Sequence, residues 1–117
     1  MDAKKLGRVE VAPTTIARIA SQAVVGCYGV VGMARKDLGA GIAELLQPAS
    51  HHRGVEVNLV GDHVEVDLYV IIEYGTRIVT VARNIQSSVK YSLEKALGIP
   101  VAAINVHVQG LRVSNED

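Results

Sequence analysis

No phenylalanine or tryptophan occurs anywhere in this sequence, so whatever core it forms must come from Val, Ile, Leu and Ala. A single cysteine, Cys27, excludes an intrachain disulfide and any C-x-x-C redox or zinc motif. It also fits a reducing, cytoplasmic setting. Neither sign of charge prevails, with 12 basic and 12 acidic side chains. Binding by phosphate neutralisation calls for a basic excess, which argues against DNA and disfavours RNA. The chain lacks an apolar run of about 18 residues and a charged-then-apolar leader, so it is not expected to span a membrane by itself. Membrane association, if any, is expected to be indirect.

What is present is pattern. Apolar residues make up 49% of 117 residues, enough to give one domain a real core. The strongest signal runs from Tyr74 to Gly110. Ile78, Val81, Ala82, Ile85, Val89, Leu93, Ala96 and Leu97 recur at helical spacing and form one apolar stripe. Gly98 and Pro100 should stop that helix. The alternation through Ile104-Asn-Val-His-Val-Gln109 then reads as a strand with one buried face.

Upstream, residues 1–6 read as a frayed tail and Arg8–Val11 as a short strand. Pro13 opens a helix where its missing N–H costs nothing. Ile16, Ile19, Ala20, Ala23 and Val24 supply its core face. Val30–Met33 is a brief strand or an extended link. Residues 36–54 read as a variable loop region, with a short helix around Ile42, Leu45 and Leu46 ended by Pro48 and a loop over 50–54. Val55, Val57 and Leu59 alternate along a strand, Gly61-Asp62 makes a tight turn, and a longer strand returns through Glu73. Gly75 breaks it. The whole of 1–117 is therefore expected to be a single α+β domain of two layers, with a small mixed β-sheet covered on one face by two main helices.

Chemistry-bearing motifs are scarce. The glycines at 26, 29, 32, 39 and 41 lack Walker spacing, and Gly29-Val-Val-Gly32 has the bare G-x-x-G form of KH domains without their basic loop residues. Turns and caps are the better reading. His51 and His52 have no ligand-spaced partner, so no metal is expected. His63 and His107 lack identifiable catalytic partners, and Ser87, Ser88 and Ser92 sit in no nucleophile motif. Cys27 reads as a small packed residue. Neither catalysis nor a cofactor is expected.

Charge is unevenly placed. Residues 1–53 hold seven basic and four acidic side chains, net +3; residues 54–76 hold no basic and five acidic, net −5; residues 77–117 hold five and three, net +2. On the long hairpin strand Glu65, Asp67 and Glu73 share a face with Tyr69 and Ile71. If the last strand joins the same sheet, Asn105, His107 and Gln109 line that side too. Glu65, Asp67, Tyr69, Ile71, Glu73 and His107 are thus the candidate partner-binding residues, with Tyr and Ile anchors inside an acidic rim. A solvated sheet face is the plain alternative.

Four segments together carry a family resemblance: Gly7-Arg-Val-Glu-Val-Ala-Pro13 before an Ile/Ala helix, Gly29-Val-Val-Gly-Met33, a strand ending Glu73-Tyr-Gly75, and the closing Val106-His-Val-Gln-Gly110. Over residues 7–113 the chain resembles the alkaline shock protein family of bacterial envelope stress response proteins. The resemblance implies a small cytoplasmic bacterial α/β protein without established enzymatic activity. Some relatives are held at the inner face of the cell membrane by a separate membrane protein, some self-associate, and others are encoded near genes of lipid metabolism. The expected role is a non-enzymatic interaction or scaffold protein of envelope stress or lipid homeostasis. Its expected partners are a protein, such as a small membrane anchor, or a second copy in a homo-oligomer. The alternatives are a KH-like RNA-binding module and a regulator that holds a small apolar ligand between its layers.

Overall fold

The computed structural model describes residues 6–35, 51–52, 54–98 and 100–113. Helix α1 spans Pro13–Val25, with Pro at its start and Gly26 at its end. Ile16, Ala17, Ala20 and Val24 are its buried residues, while Ile19 and Ala23 pack partly against the core. Helix α2 spans Ile78–Leu97 and buries Val81, Ile85, Val89 and Leu93, one residue every fourth position. This seam is narrower than the sequence stripe: Ile78 and Ala96 lie outside it. Gly98 closes α2 at φ +75°, its N–H donating to the Glu94 carbonyl, because glycine enters the left-handed region without a Cβ clash.

Among the described residues five strands form one mixed sheet: β1 (Val30–Met33), β2 (His51–His52), β3 (Val55–Val60), β4 (His63–Glu73) and β5 (Val101–Arg112). Strand β4 is its axis. On one side β4 pairs parallel with β5 from Val64 to Glu73. The parallel sense follows from α2, which carries the chain back to the starting end of β4 before β5 begins. On its other side β4 has two successive antiparallel neighbours, β3 along His63–Leu68 and β1 along Val70–Ile72. They meet end to end at Tyr69, whose N–H donates to the Gly54 carbonyl and whose carbonyl accepts from Ala34 N–H, both at 2.8 Å. A side chain at Gly54 would meet the Ala34 carbonyl oxygen at 2.7 Å and Met33 Cβ at 2.9 Å, so only glycine fits this junction.

Both helices cover the same face. Helix α1 lies over β1, β2 and β3, and α2 over β5, with the two helices in mutual contact. Between helices and sheet sit Val64, Val66, Leu68, Val70 and Ile72 of β4 with Val55, Val57, Val101 and Ile104. Burying each such side chain is worth about 1.5–3 kcal/mol, which makes this aliphatic layer the main stabilising term. Gly29, at φ +88°, lets β1 start close under α2: a Cβ there would stand 2.8 Å from a Val81 methyl.

Three expectations change. Arg8–Val11 forms no strand, and Val9 is 92% exposed, since among the described residues no sheet edge lies beside it to pair its backbone. Leu59, expected inside, is 58% exposed near the hairpin turn, where β3 has run past its helical cover. Within the expected loop, His51–His52 pair with Val55–Glu56 as a two-residue strand. The short helix around Ile42, Leu45 and Leu46 lies outside the described residues. Val30–Met33, which the sequence allows as strand or link, is a strand.

Candidate functional site

Among the described residues no helix packs on the other face of the sheet, and β4 sets that face. The strand is continuous from Val64 to Glu73, so its pleat sends Glu65, Asp67, Tyr69, Ile71 and Glu73 away from the helices, and burial alternates accordingly except at Tyr69, which is buried as well. The register brings Asn105 of β5 beside Asp67, and His107 beside Tyr69. All six residues proposed from sequence therefore share one face, on adjacent strands.

Their centre is Asp67. Its Oδ1 accepts from Asn105 Nδ2 at 3.1 Å and from His107 Nε2 at 3.0 Å, and its Oδ2 accepts from Asn58 Nδ2 at 3.1 Å. A carboxylate only accepts, so Nε2 carries the proton in this contact. Donors from both flanking strands thus converge on one carboxylate, whose side chain is only 19% exposed against 43% for His107. Enclosing a charge to that degree is costly unless donors meet its lone pairs, and here three of about four are met. The imidazole of His107 stacks on the Tyr69 ring, with centroids 4.5 Å apart and planes 10° from parallel. Tyr69 is held at 9% exposure. The middle of the face is consequently rigid and hydrogen-bonded, while Glu65, Ile71 and Glu73 remain half-buried around it.

Two further polar groups extend the surface. Glu56 stands directly across from Asp67 on β3, and Gln109 Nε2 reaches the Arg35 carbonyl at 3.5 Å from the far side of β4. Asn58 is the member of the cluster that sequence reasoning misses, although hairpin arithmetic would find it. A two-residue turn at 61–62 pairs Asn58 with Glu65 and leaves it diagonal to Asp67.

The remaining candidates stay apart. Cys27 is half-buried at the end of α1, its thiol directed at the Ala23 carbonyl at 3.4 Å. His63 sits at the hairpin beside Asp62, both exposed to solvent. Gly29-Val-Val-Gly32 runs into β1 and does not form the exposed loop that a KH reading requires. Among the described residues no three His, Cys, Asp or Glu side chains converge as a metal site, and no helix is long and apolar enough to cross a membrane.

Comparison with known proteins agrees with this picture at two levels. The fold is similar to the MamM CTD in its copper form, with a TM-score of 0.51 at 11% identity over 88% of this chain and 90% of that one, a likeness of fold alone. In sequence, the chain is 41% identical over 112 residues to the uncharacterized protein YloU of Bacillus subtilis, covering 95% of this chain and 93% of that protein. It is 34% identical over 114 residues to the uncharacterized protein Spy1614 of Streptococcus pyogenes, covering 97% and 94%. The pattern of the alkaline shock protein family, described as having a cell envelope-related function, matches residues 1–113. The resemblance carried by the four sequence segments is thereby established, and the chain belongs to the alkaline shock protein family of cell envelope-related proteins.

Proposed function

We propose that this protein is a non-enzymatic interaction module of the cell envelope whose open sheet face seats a basic segment of a protein partner. The observation that carries the reading is the Asp67 cluster. Three donors and an aromatic stack fix a carboxylate, an imidazole and a phenol ring in the middle of the sheet face on which none of the described helices packs. A pre-ordered patch loses little side-chain entropy on binding, which is how a modest surface gains affinity. The acidic excess over residues 54–76 selects a basic partner and repels phosphate, which disfavours RNA on this face. A membrane-embedded partner of this kind would hold the protein at the inner face of the cell membrane.

The roles divide. Ile71 serves as the apolar anchor, Glu65 and Glu73 as the charged rim, and Asp67, Tyr69 and His107 as the rigid support, since Tyr69 at 9% exposure has little surface to offer. Replacing Asp67 by Lys would therefore disturb the sheet as well as the charge. The cleaner test reverses Glu65 and Glu73 together in a tagged protein and compares capture from gently solubilised cells with the wild type. Capture of a membrane protein by wild type, lost in Glu65→Lys/Glu73→Lys, is the expected result. Equal capture of RNA or ribosomal proteins by both forms would overturn the reading.

A further inference from the structure

Strand β5 has two edges, and among the described residues the sheet uses one. Its inner edge follows β4. On the outer edge α2 supplies two side chains: Gln86 Nε2 donates to the Ile104 carbonyl at 2.9 Å, and Glu94 Oε2 accepts from Val101 N–H at 3.0 Å. Backbone groups of alternate residues point to the same edge of a strand. The parity that turns the Ile104 carbonyl outward also turns out Val106 and Val108, up to the register shift at Gln109. Neither Val106 nor Val108 has a partner on that side among the described residues.

Bare edges are ordinarily guarded by Lys, Pro or charged side chains. Here Val101–Leu111 contains no Asp, Glu, Lys, Arg or Pro. The stretch around Val106 is rich in β-branched residues, a composition that favours strand addition. Neutrality also selects the partner. A strand that meets its own copy brings like side chains together, which a charged edge resists and an uncharged one allows. The acidic hairpin would repel itself in the same arrangement.

We infer that β5 is a self-complementary interface, pairing antiparallel with β5 of a second copy about a two-fold axis at His107. The free outward stretch is bounded by the Gln86 contact at Ile104 and the register shift at Gln109, and His107 is the residue between its two open donors. Val106 then exchanges N–H···O bonds with the second copy's Val108, and Val108 with the second copy's Val106. The two His107 residues become a non-hydrogen-bonded pair with Cα atoms about 4.5 Å apart. Closure by a two-fold axis stops growth at a dimer. The two open faces join into one surface twice as wide, with a Tyr69–His107 stack on each side of the axis. This interface does not rest on the reading of the open face, and partner capture by that face would survive its failure.

The test uses the purified chain of 117 residues. Sedimentation equilibrium over a concentration series should show the mass rise from 12.5 kDa towards twice that value. Amide exchange by NMR on the same samples should show Val106 and Val108 gaining protection in step with the mass, while Asn105 and His107, facing β4, are protected throughout. Val108→Pro removes an outward donor that no intrachain bond uses, and should weaken the dimer at least tenfold with unchanged circular dichroism. Should that variant fail to fold, His107→Cys in a Cys27→Ser background serves instead. Oxidation should cross-link it, since about 4.5 Å between Cα atoms is within disulfide reach. Three results would each overturn the proposal. One is a mass fixed at 12.5 kDa across the series. Another is a dimer whose Val106 and Val108 amides exchange as fast as those of the Gly61-Asp62 turn. The third is a dimer of the His107→Cys variant that oxidation leaves unlinked.

Discussion

The two faces of β4 come from the same eleven residues and are stabilised in opposite ways. On the helix side, Val66, Leu68, Val70 and Ile72 are 0% exposed and depend on burial alone. On the open side, Asp67 is enclosed only because Asn58, Asn105 and His107 supply its hydrogen bonds. The first face is non-directional and tolerates exchange of one aliphatic side chain for another of similar volume. The second is directional, so each partner has a fixed place. Fold is carried by the first and, on the reading above, recognition by the second.

The largest test of that contrast removes bulk from the helix side. Leu68→Ala should cost about 2–5 kcal/mol, because it deletes a fully buried side chain and leaves a cavity beneath α1 and α2. Urea unfolding should show the midpoint fall accordingly. Next in size is Asp67→Ala, which leaves three donors without their acceptor and should cost about 1–3 kcal/mol. A double-mutant cycle of Asp67→Ala with His107→Ala should give a coupling of about 0.5 kcal/mol or more, whereas additivity would mean that the cluster is not formed. The smallest effect belongs to the rim. Glu65→Lys/Glu73→Lys should stay within about 0.5 kcal/mol of wild type at each position, since surface changes away from packed features rarely exceed that. The same variant should nonetheless lose the partner. A rim change that unfolds the domain, or a cluster change with no cost, would erase the distinction between the faces.

Much of this arrangement is legible in the chain because period and punctuation are local properties. The four-residue recurrence of Val81, Ile85, Val89 and Leu93 marks α2, and Gly98 marks its end, without reference to anything distant. The alternation of β4 likewise separates Glu65, Asp67, Tyr69, Ile71 and Glu73 from the core residues between them. Arg8–Val11 shows where such reasoning stops. Its alternation is as clear as that of a strand, but a strand exists only if another offers its edge, and that condition lies outside the segment. Leu59 fails for a related reason, since its exposure depends on how far the helices reach and not on its own place in the pattern.

The sequence by itself determined the helices, the hairpin, the core face of β4 and the acidic character of residues 54–76, because each follows from spacing, capping or composition. Only the tertiary structure decided that β5 lies parallel to β4 in a register placing Asn105 beside Asp67 and His107 beside Tyr69. That register joins residues 38 and 40 positions apart in the chain. Strand pairing over such distances is fixed by how the connecting helix packs on the sheet, and no local pattern encodes it. The same packing stations Gln86 and Glu94 over the first part of the β5 edge and, among the described residues, leaves Val106 and Val108 without a partner beyond it.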